Sequence, residues 1–265
     1  YVLVILFHNL NWFFAVDPKW TEQHLLPALC GNDLDDRDAA WSGFLWGAKT
    51  PDRELYMRLK NYMLEYATNP LPSRRSYGEI IAGMILSGWG TVDDATGERC
   101  ISNHEMHSLL LAVDDEFRTR VLWQAKRWSN ERSKNLHDRW GGKLCDLLNV
   151  WPRQISVRSP NTSARFCELA FSSGDQFPEI APLVLPLVCT IERENLLLPE
   201  LSRSEENIVD RYPELTLALL DAVLPDNSLS WPYGMEGVLQ RIGKANDALN
   251  SDDRLISLKR RWDAR

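Results

Sequence analysis

Cys100, His104 and His107 are the side chains whose types and spacing come nearest to a metal site. His104 and His107 share a helical face at i, i+3, and a thiolate with neutral imidazoles binds zinc. A fourth ligand is missing from the neighbourhood, and no paired Cys or His motif occurs elsewhere, so the default is a surface pair beside a loop. Three acidic runs, Asp35-Asp36-x-Asp38, Asp93-Asp94 and Asp114-Asp115-Glu116, invite comparison with motifs that hold magnesium and a diphosphate. Such chemistry needs carboxylates a helical turn apart on facing helices. Here each run opens a helix or sits in a loop, where aspartate caps free amides and favours the N-terminal dipole. Capping is the predicted role.

No Gly-rich phosphate loop, nucleophile elbow, HExxH or Cys/His nucleophile arrangement is present in the sequence. Ser87-Gly88-Trp89-Gly90 follows a helical pattern instead of a strand and reads as a turn. The remaining candidate is electrostatic. From Arg118 to Arg165 there are eleven Lys/Arg against three Asp/Glu, and from Phe166 to Met235 three against twelve. Within the basic stretch, Lys126, Arg127, Arg132, Lys134, Arg139 and Lys143 are the candidate partner contacts. They could meet phosphates while Trp123, Trp128, Trp140 and Trp151 stack on bases. Trp128 and Trp140 fall on apolar stripes, however, which places them in a core and leaves the cations as a solvated face. A basic and an acidic part can also complement each other or face a partner.

These residues must be positioned by helices. Leu55, Leu59, Tyr62, Met63 and Tyr66 recur at helical spacing behind Thr50 as cap and Pro51 at the first position. Ala40, Trp41, Phe44 and Leu45 form one stripe, and Phe117, Val121, Ala125 and Trp128 another. Leu136, Trp140, Leu144, Leu147 and Leu148 form the clearest stripe. Gly141-Gly142 inside it costs about 1 kcal/mol per glycine against alanine, so a close backbone neighbour or a break is expected there. Pro18–Cys30 reads as a short helix with Trp20 inward, and Asn161 or Ser163 as the cap of the helix bearing Phe166 and Leu169. Pro182 and Pro186 predict a bent helix after Phe177. Further helices follow over Pro213–Leu224, Pro232–Asn250 and Asp252–Trp262. Arg153–Ser159 is the one short strand candidate.

Successive helices with short loops predict an all-α fold of paired antiparallel helices, an irregular HEAT-like α-solenoid or a helical bundle. An N-terminal helical part over 1–115 and a repeat-like part over 116–265 are expected to form one continuous module. The 265 residues are 44% hydrophobic and 25% charged, which excludes disorder. The net charge of −7 argues against a general nucleic-acid binder. Five scattered cysteines fit a reducing, cytoplasmic setting. Tyr1–Val16 is apolar but short for a membrane span, and His8, Asn9 and Asn11 interrupt it, so it reads as a buried helix. A start at Tyr1 and a helical pattern running to Arg265 read as part of a longer polypeptide.

Three stretches carry a resemblance. They are Asp38-Ala-Ala-Trp-Ser-Gly-Phe-Leu-Trp46; Trp140 through Trp151-Pro152-Arg153 with Ser163, Leu169-Ala170 and Phe177-Pro178; and Pro232, Val238-Leu239 and Asp253-Arg254-Leu255. Together they resemble the C-terminal helical region, of unknown function, of bacterial SIR2-like proteins linked to anti-phage defence. The resemblance implies an attached sirtuin-like domain that hydrolyses NAD and a helical part that senses an invader, restrains the enzyme or builds the oligomer. No NAD-binding residue carries over, because the matching domain lies outside this chain. The expectation is a non-catalytic module without its own cofactor or metal. Its partner would be a protein: the effector domain, a phage protein or itself. The alternative is a nucleic-acid-binding module using the 118–165 surface, and no membrane is expected as a partner.

Overall fold

The computed structural model describes residues 1–47, 49–69, 71–94, 96–130, 134–191 and 208–265, without the side chains of 129, 130 and 134–141. Among these residues every regular element is helical, and the one β-type pairing is an isolated antiparallel bridge between Val92 and Arg99. The fold is all-α. No described helix is long and apolar enough to cross a membrane. Two compact units appear, Tyr1–Trp128 and Ser129–Arg265.

The first unit holds α1 (Val2–His8), α2 (Leu10–Val16), α3 (Pro18–His24), α4 (Leu34–Trp46), α5 (Arg53–Thr68), α6 (Arg74–Gly90), α7 (Asn103–Ala112) and α8 (Asp115–Asn130). Its centre is aromatic. Trp41 is fully buried and stacks on Tyr66 at 4.3 Å between ring centroids, while its indole N–H donates to the Leu29 carbonyl at 3.2 Å. The Tyr66 hydroxyl meets Ser73 Oγ at 2.7 Å, and the Ser73 amide donates to Asp38 Oδ1 at 2.8 Å. One polar chain thus ties α4, α5 and the start of α6 behind the apolar contacts. α1 lies directly on α4. A Cβ added at Gly43 would overlap the Val4 carbonyl oxygen and stand 2.8 Å from Val4 Cα, so glycine is what lets the two backbones touch.

The second unit holds α9 (Lys134–Val150), α10 (Pro160–Phe171), α11 (Phe177–Val184), α12 (Ile208–Arg211), α13 (Pro213–Val223), α14 (Met235–Ala245) and α15 (Asp253–Asp263). α11 packs on α9 and α10, and α13 contacts α11, α12, α14 and α15. Trp151 meets Phe166 edge-on at 5.1 Å and Phe171 stacks on Phe177 at 5.9 Å. α11, with Pro182 inside it, gives way to a 3-10 turn over Leu185–Leu187 that holds Pro186.

Several local expectations fail, each for a physical reason. The opening stretch is not one buried helix. It breaks at Asn9, whose side chain donates to the Ile5 carbonyl at 2.9 Å and competes with helix propagation. Only Phe7, Leu10 and Phe14 of it are buried. Pro18–Cys30 likewise splits, at Leu25, into α3 and a 3-10 turn over Leu26–Leu29, and Trp20 faces solvent. Asp52, not Thr50, caps α5, its carboxylate accepting the Leu55 amide at 2.9 Å. Ser159 caps α10 in a reciprocal box with Thr162, and Pro160 takes the first helical position. Arg153–Ser159 is no strand; it holds a 3-10 turn over Ile155–Val157. Ser87–Gly90 is not a turn but the end of α6, with Trp89 fully buried. The units divide after Trp128, not at 115/116, because α8 is bound into the first: Gln124 donates to the Glu79 carbonyl at 2.9 Å and Arg120 to the Arg74 carbonyl at 2.6 Å.

Gly141-Gly142 brings neither a break nor a close neighbour at the position that can be tested. α9 runs through both, and a Cβ on Gly142 would meet nothing within 4 Å. Gly142→Ala is therefore expected to stabilise the chain by about 0.5–1 kcal/mol. A urea midpoint that falls instead would show that the space beside Gly142 is occupied.

Candidate functional site

The metal candidates do not converge. Cys100 is buried and its sulfur accepts from Arg53 Nη1 at 3.7 Å, in a recess between α5 and α6. His104 is exposed on the wall of a different groove, between α5 and α7. No group of three or more metal-ligating side chains exists among the described residues. Beside His104, Glu105 completes the capping box of α7, accepting the Ser102 amide at 2.8 Å and pairing with Lys60 at 2.7 Å. Burial opposes its ionisation, but the bonds from Lys60 and Ser102 outweigh that and hold its carboxyl below the ordinary value.

The acidic runs take the capping roles that their positions predict. Asp33, just ahead of the first run, accepts the amides of Asp35 and Asp36 at 2.9 and 3.1 Å, and Asp35 and Asp36 fill the first turn of α4. Asp93 Oδ1 accepts the Thr96 amide at 2.8 Å and closes a turn. Asp114 Oδ1 accepts the Phe117 amide at 2.8 Å at the start of α8, while its other oxygen pairs with Arg74. None of these carboxylates faces another across two helices in a metal-binding group.

Part of the basic stretch is spent on the protein's own backbone. Arg118 is buried and donates to the carbonyls of Leu110 and Val113. Arg120 donates to Arg74 and Arg75 carbonyls and pairs with Glu116, Arg158 reaches the Arg153 carbonyl, and Arg165 pairs with Glu168. Of the candidate contacts, Lys126 and Arg127 share the last turns of α8, Arg127 exposed with its guanidinium 5.6 Å from the Trp123 ring. Lys143 is half-buried on α9 in the other unit. Arg132 lies outside the described residues, as do the side chains of Lys134, Arg139 and Trp140. Trp128 lies over Gly83 of α6, half-buried.

Two features escape the sequence. The first is an exposed apolar surface on the opening helices: Val2, Ile5, Trp12, Val16 and, at the end of α4, Trp46 are each more than 60% exposed. Trp12, Phe13, Trp20 and His24 form a row of ring contacts at 5.0, 5.9 and 5.3 Å. The apolar run from Tyr1 reads as a buried helix, whereas Val2, Ile5, Trp12 and Val16 within it face solvent. The second is the recess by Cys100, which Arg53, Tyr56 and Asp93 also line. Burial pushes the Tyr56 hydroxyl far above its ordinary pKa, and the neighbouring Cys100 and Glu105 add to it, so the phenol stays neutral and donates to the Met84 carbonyl at 2.9 Å.

No family model matches this chain, and no solved structure matches it significantly. An uncharacterized protein of Sinorhizobium fredii (strain NBRC 101917 / NGR234), y4cA, is 22% identical over 255 residues, covering 94% of this chain. The chain spans only 21% of the length of that relative.

Proposed function

We propose that this chain is a helical interaction module working in a cytoplasmic setting as the sensing, regulatory or assembly part of a longer anti-phage defence protein. The observation that carries the reading is the exposed apolar surface of α1, α2 and the end of α4, where Val2, Ile5, Trp12, Val16 and Trp46 are open to solvent. Large apolar side chains left open on these helices suit contact with a partner. Charged groups of the acidic and basic runs, Asp114 and Arg118 among them, are engaged in caps and carbonyl bonds, which is the use a scaffold makes of them. A relative about five times longer supports a part played within a larger polypeptide.

The effector follows from the resemblance: a SIR2-like domain, outside this chain, that hydrolyses NAD. The module's contact with it sets whether it runs. Deleting residues 1–265 from the full-length gene product should change its NAD consumption by about 5–150-fold, the usual span of regulatory coupling. A rise marks a restraint that a trigger relieves, and a fall marks an assembly or sensing part. NAD consumption that is absent, or indifferent to the deletion, would remove the SIR2-like reading. Trp12→Asp in the intact protein should move the rate in the same direction as the deletion if the apolar face makes the contact.

A further inference from the structure

We draw no further inference here: the strongest candidate, the surface row of aromatic rings that Trp12, Phe13, Trp20 and His24 form along α2 and α3, carries nothing, because nothing in the structure shows what covers it.

Discussion

Trp41→Ala should cost the first unit about 3–5 kcal/mol, the upper range for truncating a buried aromatic. Three losses combine. The indole is fully buried, so its whole apolar surface leaves the core and a cavity remains. The Leu29 carbonyl loses the donor that reaches it at 3.2 Å and sits unpaired in a dry site. Tyr66 loses its stacking partner, and its hydroxyl, which burial already pushes up to about 12, loses the wall that holds it on Ser73. Against a total stability of about 5–15 kcal/mol this is a large fraction. Trp46→Ala, at the exposed end of the same helix, should stay within about 0.5 kcal/mol. Urea unfolding followed by far-UV circular dichroism separates the two. Equal midpoints for both variants would mean that α4 is not anchored through Trp41.

The contrast between Trp41 and Trp46 also shows what a sequence can disclose. Periodicity is a local property of the backbone, so stripes such as Leu55, Leu59, Met63 and Tyr66, or Phe117, Val121 and Ala125, emerge buried as their spacing predicts. Trp41 was legible for that reason. Features decided by a distant segment were not. Gly88 reads as part of a turn, yet α6 runs through it, and the Tyr56 ring occupies the space that a Cβ there would need. Asp52 rather than Thr50 caps α5, a choice between neighbouring oxygens that spacing cannot make. Arg53 is far along the chain from Asp93 and Cys100 and meets them only through the packing of α5 against α6. The charge count of 118–165 was real, but a count does not show which way a guanidinium turns.

Arg118 turns inward, and Arg118→Met should therefore cost about 2–4 kcal/mol although it removes only one charge from a basic run. Its Nη1 donates to the Leu110 carbonyl at 3.1 Å and the Val113 carbonyl at 2.6 Å. α7 ends at Ala112, so both oxygens belong to the terminal carbonyls that a helix cannot satisfy itself. A cation there also meets the negative end of the helix dipole. Methionine fills much of the same space but leaves two buried acceptors without a donor. The gain from removing the Nε, which is buried without a partner, offsets only part of that. Arg127→Met, exposed at the other end of α8, should change stability by less than about 0.5 kcal/mol. The pair of variants distinguishes two uses of the same residue type within one helix. If a surface for phosphate were the purpose of both, they would weaken nucleic-acid binding alike and leave the urea midpoint alone. If Arg118 is the C-terminal cap of α7, its loss lowers the midpoint steeply while Arg127 does not.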